Sequence, residues 1–334
     1  MIARAPGKLV VSGAYSVLEG APAIVVAVDR YVTADTSRAP DRVTDEVRAA
    51  MAAHAMRAAP WFDASPLRAR LADGRDVKLG LGSSAAILVA SMAAAWANED
   101  RTLDQRAMFQ IALFAHRTAQ GGGSGIDVAA SVFGGVLVCR LPRPGDSRRP
   151  PPSRPSHEMG PTSREMGLSV SPHTLPADMV LETFASPVAA STPDLVGRVR
   201  AFAEKDPEAY ASLLAEASRW ATAALSARTA EELTAILRAQ ASALAALGNA
   251  ANAPIFTPDV VELDRIAEQE GAVFYPSGAG GGDVAIFAGA RAASERFRRA
   301  AEGLGRFHLD LRSGAPGVHL VSTGSPSGAL LGAL

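Results

Sequence analysis

The chain contains a single cysteine, Cys139, among its 334 residues. One cysteine cannot form an internal disulfide, so no disulfide framework holds the fold and a reducing, cytoplasmic compartment is expected. Because Cys139 sits in an apolar, strand-like run, we interpret it as a core residue and not as a nucleophile.

Long apolar runs are also missing. The longest apolar stretches, such as 85–97, are too short to span a bilayer, and the N-terminus lacks the basic segment, apolar run and cleavage site of a secretory signal. Hydrophobic residues make up 48% of the chain and charged residues 20%. This balance is typical of a globular protein with no membrane partner, and the length suits two domains.

Lysine is scarce, and the charges nearly cancel. The formal net charge is −1, and the densest basic stretch, 140–154, is proline-rich without aromatic residues, so no nucleic-acid partner is expected. Only three of the 33 basic residues are lysine. Two of them, Lys8 and Lys78, lie in glycine-bearing motifs, where a compact ammonium group suits a phosphoryl group in transfer.

The most informative motif is the glycine loop of residues 80–86, Gly-Leu-Gly-Ser-Ser-Ala-Ala, which runs directly into an apolar helix. Glycines let the backbone approach an anion, and the helix start offers free N–H groups. Ser84 can add a hydroxyl to Mg²⁺. The pattern favours a nucleotide site over a plain helix start, and the absence of Gly-Lys-Ser/Thr excludes a P-loop.

The rest of the chain predicts mixed strands and helices without a regular βαβ rhythm. The expected strands are 2–5, 9–12, 23–28, 31–36, 135–140, 284–288, 306–311 and 317–321. The expected helices are 41–56, 83–98, 102–118 behind a Thr102 capping box, 192–205, 207–227, 230–247, 258–270 and 291–304. The Pro-, Ser- and Arg-rich segment 141–175 is expected to be a loop or linker.

Two further glycine clusters, at 121–125 and 277–282, lie beside predicted helix or strand ends. One ligand contacted from three sides explains three such clusters better than three separate turns. The motifs at 5–9, 80–86 and 277–283, in this order, resemble those of the GHMP kinases, and the resemblance covers nearly the whole chain. Segments 115–120, 123–130 and 190–196 are similar to members that phosphorylate 5-phosphomevalonate.

The resemblance implies an α+β, two-domain GHMP kinase fold. Its N-terminal, ribosomal-S5-like α/β domain would be residues 1–165, and its C-terminal, ferredoxin-like α+β domain residues 166–334. It also implies ATP and Mg²⁺ as cosubstrate and cofactor, a small-molecule acceptor, and a monomer or homodimer. The implied reaction converts (R)-5-phosphomevalonate to 5-diphosphomevalonate on the mevalonate route to isoprenoids.

The resemblance also implies roles for particular residues. The residues expected to act in catalysis are Lys8, Asp127 and Lys78, with Ser84 at the metal. Those expected to hold ATP are Gly80, Leu81, Gly82, Ser83, Ser84, Ala85 and Ala86. Those expected to face the acceptor are Tyr15, His116, Gln120, Ser124, Gly125, Ser191, Thr192, Ser277, Gly278, Ala279, Gly280, Gly281 and Asp283.

The role of Asp127 depends on the acceptor. An alcohol loses a proton when it attacks, whereas a phosphate monoester, with a second pKa of about 6, is already mostly a dianion at neutral pH. For phosphomevalonate we therefore expect Asp127 to orient Lys8 and the acceptor. Mevalonate kinase and diphosphomevalonate decarboxylase activities remain alternatives. A silent ATP- or metabolite-binding relative is a further alternative, because Ala14 stands where the family motif carries an acid.

Overall fold

The computed structural model describes residues 1–70, 74, 76–143, 167–188 and 191–321. In these ranges the strands are β1 (Ile2–Ser12), β2 (Pro22–Asp35), β3 (Trp61–Asp63), β4 (Arg68–Arg70), β5 (Asp76–Lys78), β6 (Val136–Arg140), β7 (Ser169–Pro172), β8 (Val180–Ala185), β9 (Val273–Pro276), β10 (Val284–Gly289), β11 (Phe307–Leu309) and β12 (His319–Leu320). The α-helices are α1 (Asp45–Ala52), α2 (Ser83–Asn98), α3 (Gln105–Gln120), α4 (Ile126–Phe133), α5 (Thr192–Lys205), α6 (Pro207–Ala223), α7 (Ala230–Ala250), α8 (Pro258–Gln269) and α9 (Glu295–Gly303).

Two antiparallel sheets organise the described residues. The first has the order β12-β1-β2-β6-β7, with β3 added beside β2, and the second has the order β11-β8-β10-β9. A separate hairpin, β4-β5, leads to the glycine loop of residues 80–86. The strands β7 and β12 pair in the first sheet although they lie in the second half of the chain, and the domain boundary at 165/166 stays a prediction.

Helix α2 lies at the centre of the larger core. Its residues from Ala85 to Trp96 are all buried, and the helix packs against β1 and β2. A helix that is apolar all round is expected to be surrounded by protein on every side. The Trp96 indole N–H donates to the Ala55 carbonyl at 2.7 Å, so its one polar atom is satisfied inside the core.

The second sheet packs on α8 and α9 through a small aromatic core. The ring of Phe297 on α9 lies 4.8 Å from that of Phe287 and 5.3 Å from those of Phe184 and Phe274, centroid to centroid. All four side chains are buried. Edge-to-face contacts of this kind add to the free energy gained by burial, so a chain with few aromatic residues concentrates several of them here.

Most predicted elements are present, but the structure differs from the prediction at several points. The predicted pairs 2–5 with 9–12 and 23–28 with 31–36 are two long strands, because the pairing of β1 with β2 shifts by a bulge at Pro6/Gly7 and continues. The predicted Thr102 cap is wrong: Asp104 caps α3 by accepting from the N–H groups of Arg106 and Ala107. The last helix begins at Glu295 because Ser294 caps it.

Within the segment predicted to be a loop, 141–175, the edge strand β7 pairs with β6. Its sequence, Ser-Val-Ser-Pro, carries one apolar residue and therefore shows no alternation, so backbone pairing and not side-chain pattern produces the strand. Residues 144–166 of that segment lie outside the described residues. None of the described helices has the length and apolar character to cross a membrane.

Candidate active site

Lys8 on β1 is joined to the glycine loop by two hydrogen bonds. The Lys8 backbone N–H donates to the Leu81 carbonyl at 2.9 Å, and its ammonium group donates to the Gly80 carbonyl at 3.1 Å. The first bond extends β1 pairing onto the loop, and the second places the cation at the loop itself. The first and second motifs of the sequence therefore form one site.

Gly80 and Gly82 make this close approach possible. Both have left-handed backbones, with φ of +68° and +76°. A Cβ on Gly82 would lie 3.1 Å from Lys8 Cγ and 3.4 Å from Asp127 Cβ, and a Cβ on Gly80 would lie 2.7 Å from Asp283 Cβ. Segments from three distant parts of the chain thus meet at these glycines, as the sequence predicts.

The start of α2 is suited to an anion. Gly82 is the N-cap, and it has no side chain with which to cap the free N–H groups of the first turn. Leu81, Ala85 and Ala86 are buried in the core, so they can offer a ligand only their backbone. Ser83 and Ser84 are partly exposed and can also offer hydroxyl groups.

The Ser84 hydroxyl is held by Gln120. The Gln120 amide nitrogen donates to Ser84 Oγ at 3.1 Å and to the Glu46 carboxylate at 3.0 Å. A side-chain amide has two N–H groups, so these two bonds fix its orientation. Sequence reasoning missed Glu46. Its signal was a charged residue at a core-facing position of the amphipathic α1, one turn before the buried Ala50.

Asp127 lies in the first turn of α4, with Gly125 as the N-cap. Asp127 Oδ1 accepts from the Val128 N–H at 2.9 Å, and its Oδ2 lies 3.4 Å from His116 Nε2 on α3. A side chain at Gly125 is disfavoured on two grounds, because its φ is +77° and a Cβ there would lie 2.1 Å from Leu113 Cδ1.

The loop that precedes α4 is held by the Arg117 guanidinium. This group donates to the carbonyls of Gly123 and Ser124, each at 3.2 Å. The loop residue Ser124 is partly exposed, whereas the next residue, Gly125, is buried.

Burial and two carboxylates act in opposite directions on Lys8. Burial lowers the pKa of the Lys8 ammonium below its ordinary value of 10.5, and the negative charges of Asp127 and Asp283 partly offset this effect. The two carboxylates therefore stabilise a buried ammonium group that lies against the glycine loop. Burial, with the charge of Asp127, raises the pKa of Cys139 to about 12, in accord with its predicted place in the core.

The third glycine cluster is tied to β1. Tyr15 donates its hydroxyl to the Ala279 carbonyl at 2.7 Å, and burial raises its pKa. The Ser277 N–H donates to the Val284 carbonyl at 2.9 Å, and its hydroxyl accepts from the Val10 N–H at 2.8 Å. The Ser277 hydroxyl also lies 3.3 Å from the Val10 carbonyl. Its N–H and its O–H therefore both have acceptors within the protein.

Part of this cluster remains open to a ligand. The Gly281 N–H is taken by the Ile255 carbonyl at 3.1 Å. A Cβ on Gly280 would lie 2.2 Å from the same oxygen, so Gly280 is needed for close packing. The N–H groups of Gly278, Ala279 and Gly280 have no hydrogen-bond partner among the described residues.

Three predicted site residues are not joined by any hydrogen bond or ion pair to the group formed by Lys8, the glycine loop and Asp127. Lys78 is exposed at the end of β5, and its side chain makes no hydrogen bond or ion pair with the described part of the chain. Ser191 and Thr192 are exposed at the start of α5, where Ser191 caps the helix by accepting from the Asp194 N–H at 3.4 Å. Ser191 therefore serves as the N-cap of α5, whereas contact of Ser191 and Thr192 with an acceptor stays a prediction.

An open cleft of about 400 Å³ lies elsewhere, lined by Arg4, Arg30, Arg68 and neighbouring residues. None of the predicted site residues lines it.

The described residues also contain no group of three or more His, Cys, Asp or Glu side chains that could hold a metal ion. The oxygen donors near the loop instead fit Mg²⁺ that takes most of its ligands from phosphates and water, with Ser84 as the expected protein ligand.

Known proteins are similar to this chain along most of its length. Residues 47–135 match the family described as GHMP kinases N terminal domain. Phosphomevalonate kinase of Streptomyces sp. (strain CL190) is 28% identical over 348 residues, which cover 86% of this chain and 89% of that protein. Mevalonate kinase of Archaeoglobus fulgidus is 28% identical over 295 residues, which cover 84% and 90%.

Solved structures show the same fold. Streptococcus pneumoniae phosphomevalonate kinase, in complex with phosphomevalonate and AMPPNP, superposes with a TM-score of 0.72 at 19% identity and covers 94% of this chain and 100% of that chain. The predicted α+β GHMP kinase fold is confirmed. So is the predicted resemblance: residues 47–135 match the GHMP kinases N terminal domain family, and a phosphomevalonate kinase is among the similar relatives.

Proposed function

We propose that the protein is an ATP-dependent kinase that transfers a phosphoryl group to (R)-5-phosphomevalonate. The observation that carries the proposal is the position of the Lys8 ammonium, hydrogen-bonded to Gly80 of the glycine loop and within the electrostatic reach of Asp127 and Asp283. Phosphoryl transfer needs positioning and neutralisation of charge more than covalent chemistry. A cation between an anion-binding loop and two carboxylates supplies both.

The glycine loop would bind the phosphates of ATP. Its uncapped helix start and the backbone N–H groups of residues 80–86 would hold the triphosphate, and the Lys8 ammonium would neutralise charge that develops during transfer. When bound, Mg²⁺ would neutralise phosphate charge and orient the γ-phosphoryl group. Ser84 would hold the ion through its hydroxyl, which Gln120 fixes from the other side.

The acceptor phosphate needs no strong base, because it is already ionised at neutral pH. Asp127 would then hold the Lys8 ammonium and the acceptor in place. The free N–H groups of Gly278, Ala279 and Gly280 would contact the acceptor or the phosphates from the opposite side. Similarity to a phosphomevalonate kinase along nearly its whole length supports this choice of acceptor.

Mevalonate kinase is the second candidate, because a mevalonate kinase shows the same 28% identity over a comparable share of this chain. The two activities differ in what they require of Asp127. An alcohol acceptor would make this carboxylate a general base, whereas a phosphate acceptor leaves it an electrostatic role. The change of Asp127 to asparagine therefore distinguishes them: a loss of a few-fold in rate supports the phosphate acceptor, and a loss of about 1000-fold supports the alcohol.

A panel of acceptors tests the proposal. ADP release from Mg²⁺-ATP is measured with phosphomevalonate, mevalonate or diphosphomevalonate present, with Lys8→Met as the control protein. We expect turnover with phosphomevalonate alone and none from Lys8→Met. Turnover confined to mevalonate would establish the second candidate. No turnover with any of the three, from protein that still binds ATP, would overturn both.

A further inference from the structure

His116 is a buried residue whose polar atoms are unsatisfied. Its side chain is 3% exposed, and neither ring nitrogen has a hydrogen-bond partner among the described residues. A buried polar group without a partner costs about 1–3 kcal/mol, so such groups call for an explanation. Asp127 Oδ2 lies 3.4 Å from the His116 Nε2.

Among the described residues, Asp127 is the charged residue paired with His116. Asp127 Oδ1 is fixed by the Val128 N–H at 2.9 Å, which leaves Oδ2 as the oxygen whose direction is set by other groups. The α3 and α4 helices pack directly against each other, which keeps the His116 ring beside the carboxylate. At 3.4 Å, a small rotation of either side chain forms the bond.

The burial of His116 also argues against direct contact with an acceptor, the role implied by resemblance. Gln120, one helical turn further along α3, is bonded to Ser84 on the glycine loop. The same face of α3 thus contacts two residues of the site from behind.

We propose that His116 is a positioning residue that donates its Nε2–H to Asp127 Oδ2 and so aims this carboxylate at Lys8 and the acceptor. Hydrogen bonds of this kind are often long in unliganded proteins and tighten when substrate binds. The kinetic part of this inference rests on the proposed function, whereas the hydrogen bond itself does not.

The hydrogen bond is tested by nitrogen NMR of the histidine side chains. The chain has six histidines, and the His116 signals are those that vanish in His116→Gln. We expect His116 to carry its proton on Nε2 and its Nε2 signal to shift in Asp127→Asn, while the other five histidines stay unchanged. A His116 spectrum that is the same in wild type and Asp127→Asn would overturn the proposal, whichever acceptor the enzyme uses.

Kinetics then separate positioning from a structural role. We expect His116→Leu to lower kcat a few-fold, no more than Asp127→Asn does, because it acts only through that carboxylate, with KM for ATP within about twofold of wild type. His116→Gln, whose amide N–H can reach the Nε2 position, should recover part of this loss. In an Asp127→Asn background, His116→Leu should have almost no further effect, because both changes remove the same interaction.

Ser91→Ala is the matched control, because Ser91 on the adjacent α2 is also buried with an unsatisfied hydroxyl. It should leave kcat unchanged.

Losses from His116→Leu and Asp127→Asn that add independently would contradict a positioning role, as would equal losses from His116→Leu and His116→Gln. If phosphomevalonate is not the acceptor, the proposed function fails, and the NMR result still decides whether His116 acts on Asp127.

Discussion

Gly82 offers a sharp test of the site's geometry, because its missing side chain is what lets Lys8 and Asp127 come together. In Gly82→Ala, the new Cβ would lie 3.1 Å from Lys8 Cγ and 3.4 Å from Asp127 Cβ, so the lysine stem must shift. The left-handed φ of +76° would also cost about 1–2 kcal/mol. We expect a modest loss of stability and a loss of about 100-fold in kcat/KM, since small displacements of catalytic groups have large effects on rate.

Gly271→Ala is the matched control. Gly271 has a similar φ of +72°, and a Cβ there would have no neighbour within 4 Å. Urea unfolding should give both variants losses of about 1–2 kcal/mol, because they share the backbone strain. Only Gly82→Ala should lose activity. If Gly82→Ala kept kcat/KM within about twofold of wild type, the argument that this glycine makes room for Lys8 and Asp127 would be refuted.

Three other changes probe the same site. The pKa of Lys8 is lowered, so its ammonium loses a proton below pH 10.5 and kcat/KM should fall as the pH rises toward that value. The fall should be absent in Lys8→Arg, whose guanidinium stays protonated. A fall of kcat/KM in both proteins would refute the assignment to Lys8. Glu46→Ala removes the acceptor that orients Gln120 and should raise KM for Mg²⁺-ATP about fivefold, equivalent to about 1 kcal/mol; an unchanged KM would show that Ser84 needs no such support. Tyr15→Phe leaves the Ala279 carbonyl without its donor and should raise KM for the acceptor more than KM for ATP, whereas an equal rise in both would mean that this bond serves stability alone.

Lys8 also predicts how stability changes with pH. Its pKa is lowered in the folded protein, so between that value and 10.5 the unfolded chain binds more protons than the folded one. The free energy of unfolding should therefore gain a contribution as pH rises through this window. Lys8→Met should remove that contribution, which urea unfolding at several alkaline pH values would detect. An identical pH dependence in the two proteins would contradict the burial of this ammonium.

Local signals made much of the fold predictable. Helices α2 and α5 have the predicted bounds, because a glycine turn and a Ser-Thr-Pro start mark where they begin. The strands β8 and β9 were not predicted. Their apolar runs are short. Both become strands by pairing with β10, in a sheet that joins segments about 100 residues apart in the chain.

The site was predictable where the backbone itself is the functional group. Glycines at 80 and 82 are needed wherever a left-handed turn must approach other residues, so their pattern is visible in the sequence. The partners of Ser84 and Asp127 were harder to identify. Gln120 and His116 were recognised only by resemblance, and contact with the acceptor was predicted for both. The sequence of a single helix does not show that one of its faces packs against Ser84 and Asp127. Glu46 reaches the site through tertiary packing alone.

Phosphoryl transfer to phosphomevalonate is observed directly by ³¹P NMR of phosphomevalonate incubated with Mg²⁺-ATP and the protein, beside an identical sample with Lys8→Met. We expect the phosphomonoester signal of phosphomevalonate to be replaced by the two coupled signals of a diphosphate as ADP forms, and Lys8→Met to leave the spectrum unchanged. An unaltered phosphomonoester signal with the wild-type protein, or full conversion by Lys8→Met, would contradict this expectation.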